Sequence, residues 1–273
     1  MASTTACNEY TIGFPMATGD VSYVYVVKDG IAKVFIDSDA YSDELQVCKA
    51  LQSPATEEAK AFRDEYFPQF KGESHVIKGE KRNKALVYEK VGDDITVGWI
   101  EYDSESVRDF KNLAKFLLNY LYSMYKFNIF HGEIDGGNII VELNQRGNGA
   151  IHKLCNLRTL CSTVPENEYF PGLPYYEMDE MEEMRAKDMM SCMSILTCKK
   201  NRYVYKKLPL YIKWTITALI NAMKIQKQST KDKEFAKIMN QWFNINKDYK
   251  DDTEEANIED DEDDYEYDEE DEE

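Results

Sequence analysis

The apolar pattern of this chain shifts from mainly strand-like over about the first hundred residues to mainly helical beyond them, and that shift constrains the fold more than any other feature. Before it, short runs of β-branched and aromatic residues are broken by turn residues. In "VSYVYVVKDGIAKVFI" (residues 21–36) the break is Lys28-Asp29-Gly30, a D-G hairpin turn. "HVIKGEKRNKALVYEKV" (75–91) predicts a second hairpin. Between them lie two helical patterns. "SDELQVCKAL" carries Leu45, Cys48 and Leu51 at helical spacing with Ser42 or Asp43 as cap, and "TEEAKAFRDEYF" is capped by Thr56 and stopped by Pro68. After the change, apolar residues recur every three or four positions. "VRDFKNLAKFLLNYLYSMYKF" puts Leu113, Phe116, Leu117, Tyr120, Leu121 and Met124 on one helix face. Two short strands, "NIIVEL" and "AIHKLC", flank the turn "NQRGNG"; "AKDMMSCMSIL", "LYIKWTITALINAM" and "KDKEFAKIMNQWF" predict further helices. The expected fold is α+β and bilobal: a small β-rich lobe over residues 1–91, a mainly helical lobe over 92–247, and a separate segment over 248–273.

That last segment distorts the overall charge of −18. Of the 51 acidic residues, 17 stand between Asp251 and Glu273, leaving 34 against 33 Lys and Arg in the remainder. The body is thus close to neutral and shows no basic patch that argues for direct nucleic-acid binding. Like charges with almost nothing apolar to bury predict a disordered tail, either a solubilising appendage or an arm that binds basic surfaces. No apolar run is long enough to cross a membrane. The opening "MASTTACNEY" lacks the basic and apolar segments of a secretory leader, and Ala2 stands where myristoylation needs glycine. Six cysteines without C-x-x-C spacing predict reduced thiols in a cytoplasmic or nuclear protein; with only three histidines, a zinc site is not expected.

"IFHGEIDGGNIIVE" (129–142) then stands out. A histidine precedes a carboxylate by two residues, an asparagine follows that carboxylate by five, and an apolar strand comes next. His131, Glu133 and Asn138 thereby resemble the catalytic loop of the protein-kinase superfamily, H-x-D-x-x-x-x-N, in the H-G-acid form closest to atypical kinases and small-molecule phosphotransferases. The long helix before it and the strand pair after it stand in the family order, and the resemblance runs from about residue 10 to about residue 243. A compact divergent chain with an acidic tail is also similar to kinase-like proteins of large DNA viruses, which implies a host-cell interior.

The resemblance implies ATP as ligand and roles for named residues. "ATGDVSYVY" stands at the glycine-rich loop with Gly19 alone of three glycines; taken by itself it is equally an ordinary strand turn. "IAKVF" makes Lys33 the phosphate-facing lysine, where an isolated strand lysine is more often a solvated edge residue. Its acidic helix partner is Glu44 or Glu58. "LVYEKV" places Tyr88 at the gate of the nucleotide pocket and Glu89 to Val91 on the purine, with Ile140 lining the pocket. In "HKLCNLRTL", Asn156 takes the place of the magnesium-binding aspartate and Arg158 that of a glycine. "PYYE" puts Glu177 at the end of an activation segment, and Asp188 matches the aspartate that holds the catalytic-loop backbone. Glu133, Asn138 and Lys33 are the implied catalytic set, and Asn138 with Asn156 the metal set.

The departures decide what the set can do. Phosphoryl transfer needs carboxylates on magnesium and a carboxylate near the acceptor hydroxyl. Magnesium prefers charged oxygen ligands, and Asn156 offers a neutral amide. Glu133 is one methylene longer than the usual base, Gly132 replaces an arginine that reads phosphorylation, and Asp135 stands where a lysine often serves the phosphate. The expected protein is a kinase-fold pseudokinase that works through a protein partner, with a slow atypical protein kinase acting on a protein substrate as the alternative and a small-molecule phosphotransferase as the third. Arg158 is expected either to hold phosphate oxygens with Lys33 in place of the metal, or to face solvent or pair with one of the many acids.

Overall fold

In a computed structural model the chain is an α+β protein, described over residues 9–92, 95–142, 150–176, 178–225 and 228–248. The tail beyond 248, the turn 144–149 and Glu177 lie outside the described residues. The first part is built on six strands: β1 (Glu9–Thr11), β2 (Ala17–Thr18), β3 (Ser22–Val27), β4 (Gly30–Phe35), β5 (Phe70–Lys78) and β6 (Lys81–Tyr88). They form one mixed sheet in the order β1-β5-β6-β4-β3-β2, in which only the β1–β5 pair is parallel. Both predicted hairpins are present: β3 pairs with β4 across Lys28-Asp29, and β5 with β6 across Gly79-Glu80. Gly30 cannot carry a side chain, because a Cβ there would lie 2.0 Å from the Tyr88 carbonyl oxygen on the neighbouring strand.

Helices α1 (Ser38–Gln52) and α2 (Glu57–Tyr66) separate β4 from β5. α2 starts on its expected Thr56 cap, whose Oγ1 accepts from the Ala59 N–H. α1 starts five or six residues before the position expected from Ser42 or Asp43. Its cap is Asp37, which accepts from the Asp39 N–H at 2.7 Å, because Ala40 and Tyr41 continue the apolar stripe back toward it. Ser42 and Asp43 are helix interior; Ser42 Oγ donates to the Ser38 carbonyl.

The remainder is mainly helical: α3 (Val107–Lys126), α4 (Met178–Thr197), α5 (Arg202–Lys206), α6 (Leu210–Met223) and α7 (Gln228–Asp248). Short strands β7 (Ile95–Thr96), β9 (Ile139–Glu142) and β10 (Ile151–Leu154) make a three-stranded sheet, and β8 (Ile129–Phe130) pairs with β11 (Cys161–Ser162). The predicted face of α3 is buried, with Phe116 at its margin. Alternation along β4 and β6 gives the large sheet two apolar faces. One holds a small core of Tyr25, Ala32, Val34, Val76, Ala85 and Val87; the other joins a single core that continues through α1, α2 and α3 to α7. Phe62 of α2 bridges the parts, packing 4.8 Å from Phe127 at the end of α3. This packing leaves a cleft between the large sheet and the loops around β9 and β10.

Candidate functional site

The cleft encloses about 430 Å³, the size of a small-molecule pocket. Its roof is the turn at Gly19 between β2 and β3, closed by the Gly19 N–H donating to the Ser22 carbonyl at 2.9 Å. Val24 and Ile31 face it from the sheet, Ile140 from β9, and Val91 from the segment after β6. Thr96 on β7 also lines it, and its buried Oγ1 has no hydrogen-bond partner among the described residues. Nothing in the sequence marks this threonine, because a lone hydroxyl in a short strand carries no motif.

Lys33 lies on β4 at the inner wall. Its Nζ donates to Glu44 Oε2 on α1 at 2.5 Å and to Asn156 Oδ1 at 2.9 Å. The choice between Glu44 and Glu58 is thereby settled: Glu44 is 1 % exposed, whereas Glu58 is on the surface and pairs with Lys126. Tyr88 donates its OH to the other Glu44 oxygen at 2.7 Å; burial, then the Glu44 carboxylate, raises its pKa and keeps it a donor.

The opposite wall is the loop between β8 and β9. Asp188 of α4 accepts from the His131 N–H at 2.7 Å and the Gly132 N–H at 2.9 Å, fixing the loop from beneath. Burial raises the Asp188 carboxyl to about 6, against the lowering effect of those backbone bonds. His131 is fully buried and burial pulls it down to about 4, so at neutral pH it is an uncharged brace, its Nε2 on the Cys155 carbonyl and its Nδ1 accepting from the Glu133 N–H. Gly132 has φ +80, and a Cβ there would press on Thr159 at 3.3 Å; an arginine cannot take this place without backbone strain. Asp135 does not line the cleft. It caps the turn Gly136–Asn138, accepting from the Gly137 and Asn138 N–H groups. Asn138 turns its amide nitrogen inward to the Glu133 carbonyl at 2.8 Å.

Between the walls, Asn156 adopts a left-handed conformation (φ 61, ψ 61) that asparagine tolerates better than most residues. Its Nδ2 donates to Glu133 Oε2 at 2.7 Å, while Arg158 Nη2 donates to Glu133 Oε1 at 3.2 Å. Both Glu133 oxygens are therefore engaged. Of the two expectations for Arg158, pairing with an acid is the one found: Arg158 and Lys33 both line the cleft, but the guanidinium lies on the Glu133 carboxylate, with 29 % of its side chain exposed to solvent. The result is a continuous chain Tyr88–Glu44–Lys33–Asn156–Glu133–Arg158 across the cleft. This donor set does not fit magnesium: positions 138 and 156 offer neutral amides, and the one carboxylate between them is already matched by a cation.

Glu89 behaves differently from expectation. Its N–H donates to the Gln69 carbonyl and its carboxylate accepts from the Gln69 N–H and from Lys153 Nζ at 3.1 Å, so that N–H is not free for a purine. Lys153, on β10, also donates to the carbonyls of Asp64 and Phe67 at the end of α2. All five cysteines among the described residues are free thiols. No protein-family model matches the chain and no curated protein is significantly similar to it. Among the described residues no helix is long and apolar enough to cross a membrane, and no group of three His, Cys, Asp or Glu side chains is placed to hold a metal.

Proposed function

We propose that this chain is a protein-kinase-fold pseudokinase: an N-lobe over 1–91 and a C-lobe over 92–247 enclosing a nucleotide pocket whose transfer machinery is disabled, the protein acting through a protein partner. The observation that carries this reading is the double engagement of Glu133 by Asn156 and Arg158. A base must present a free oxygen to an acceptor hydroxyl, and a kinase metal site must present carboxylates to magnesium. Here the Glu133 carboxylate is neutralised by the Arg158 guanidinium. Lys33 beside Glu44, under the turn at Gly19, supports retained binding of a phosphate-bearing ligand such as ATP, for which Lys33 and Arg158 are the cations at hand. Slow transfer with Glu133 as base requires Arg158 to leave it first.

Thermal-shift titration with ATP tests the reading. Saturation to about 100 Kd stabilises by about 2.7 kcal/mol, a rise in Tm of roughly 5–10 °C for a domain of this size. The rise is expected to be equal in EDTA and in magnesium, to be lost in Arg158→Ala, and to be accompanied by no transfer to protein substrates. Robust magnesium-dependent phosphorylation, abolished by Lys33→Ala, would overturn the reading; so would binding that disappears in EDTA.

A further inference from the structure

Between Asp188 and Asp232 the sequence holds nine Lys or Arg and no Asp or Glu. In a body whose charges otherwise nearly cancel, this is a local excess of one sign. Six of these cations stand on the turn Lys199–Asn201, on α5 and on the start of α6: Lys199, Lys200, Arg202, Lys206, Lys207 and Lys213. Among the described residues none of the six pairs with a carboxylate. Their contacts are instead with carbonyls and rings. Lys213 Nζ donates to the Lys206 carbonyl at 2.9 Å, and Lys207 Nζ stands 5.9 Å over the Tyr203 ring. The same surface exposes large apolar groups, Tyr203 at 53 %, Leu210 at 79 % and Trp214 at 47 %. Single exposed hydrophobes are ordinary, but aromatic groups interleaved with unpaired cations suit a segment that is acidic and carries aromatics.

Residues 251–273 are such a segment, and the last described helix ends close to this surface. α6 and α7 are joined by a four-residue connection and pack as an antiparallel pair, with Tyr211 stacked 5.9 Å from Trp242. The second residue of α6 thus lies next to the last third of α7. From Trp242 the helix runs six more residues to Asp248, a further rise of about 9 Å. A ten-residue coil spans about 17 Å. The first acids, from Asp251 onward, are therefore within reach of Lys206, Lys207 and Lys213 without any rearrangement. Tyr265 and Tyr267 stand among the later acids.

We propose that the acidic segment 251–273 docks in cis on the basic, aromatic surface formed by residues 199–214. A tether of this length supplies the segment at a millimolar effective concentration, which favours it over free anionic macromolecules of ordinary abundance. The docked segment is expected to be displaced by a basic partner or by salt. The proposal does not rest on the nucleotide reading of the cleft.

Zero-length carbodiimide coupling of the full chain tests it, because an amide forms only where a carboxylate touches a lysine. In 0.15 M salt, links from 251–273 to Lys199, Lys200, Lys206, Lys207 and Lys213 are expected to exceed links to Lys78 and Lys81, on the far hairpin, at least fivefold, and to fall to background in 1 M salt. In Lys206→Glu/Lys207→Glu the links to Lys199, Lys200 and Lys213 should drop at least fivefold with Tm unchanged. An isotopically heavy and light mixture should give links within chains only. Evenly spread links, links that survive 1 M salt, or mainly heavy-to-light links overturn docking in cis. Capture of a labelled 20-base-pair duplex by the wild-type chain in 0.15 M salt, lost in the double variant, also overturns it and assigns the surface to nucleic acid.

Discussion

Replacing Asn156 by aspartate changes one atom of the cleft and reverses the sign of a contact. The backbone is not disturbed, since aspartate takes the left-handed conformation about as readily as asparagine. The Nδ2 that donates to Glu133 Oε2 at 2.7 Å becomes an oxygen facing an oxygen at that distance. Two unit charges so placed repel by about 6 kcal/mol at an effective dielectric constant near 20. Lys33 on the other side and Arg158 on Glu133 recover part of this. The cost also has a ceiling: the pair can share a proton, and holding a carboxyl protonated at pH 7 against its usual value near 4 costs about 4 kcal/mol. The expected destabilisation is therefore roughly 2–4 kcal/mol, a fall in Tm of about 5–12 °C at pH 7.5 in EDTA. The sign with pH follows from the pair's raised folded-state pKa. The deficit is complete above that pKa and shrinks as pH falls toward about 5. Two adjacent carboxylates beside Asn138 also create the hard-cation site that the natural sequence lacks, so 10 mM magnesium should restore the Tm of Asn156→Asp and leave the wild type unmoved. Differential scanning fluorimetry across pH and magnesium reads all of this. A variant that melts with the wild type in EDTA and ignores magnesium would refute the placement of Asn156 against Glu133.

Lys33→Met or Glu44→Leu alone should cost about 3–5 kcal/mol, because each leaves its buried partner uncompensated; the double variant should lose at least 1 kcal/mol less than the sum, and additive losses in chemical denaturation would contradict the pairing. His152 packs 5.4 Å from Phe116 with its Nε2 unpartnered among the described residues, and burial lowers it to about 4. Its folded pKa lies below the unfolded value, so the stability held by the neutral ring is complete above about pH 6.5 and is lost as pH falls toward 4. His152→Leu should raise Tm by several degrees at pH 5 and by less at pH 8; an equal or absent gain at pH 5 would show that the ring is not buried neutral.

Much of the architecture was legible because it rests on local chemistry. The Asp29-Gly30 turn, the Thr56 cap and the apolar stripe of α3 each carry their signal within a few residues, and each element appears where that signal puts it. The start of α1 was misplaced because Ser42 and Asp43 are as good caps as Asp37; only the burial of Ala40 and Tyr41 distinguishes them. The parallel pairing of β1 on β5 has no local signature, since three residues joining a sheet edge 66 positions away are recruited by the sheet. At the cleft, motif order brought Lys33, Asn138 and Asn156 to one place, but spacing could not choose between Glu44 and Glu58; burial did. That Arg158 lies on Glu133 is a tertiary fact, because any nearby acid would serve a guanidinium equally well in sequence terms.

Lys153 sets the mechanics of the cleft. One ammonium group, only 16 % exposed, fastens β10 to the end of α2 and to Glu89, tying residues 64, 67 and 89 to the strand that leads into the cleft-lining residues Cys155–Arg158. The rear of the cleft is thus bolted, and any widening must come from the opposite rim, where the β2–β3 turn at Gly19 is held by a short ladder of two paired residues. If the cleft binds a nucleotide as proposed, its exchange rate is expected to respond to substitutions around residues 17–22 and to be indifferent to those at Lys153 and Glu89.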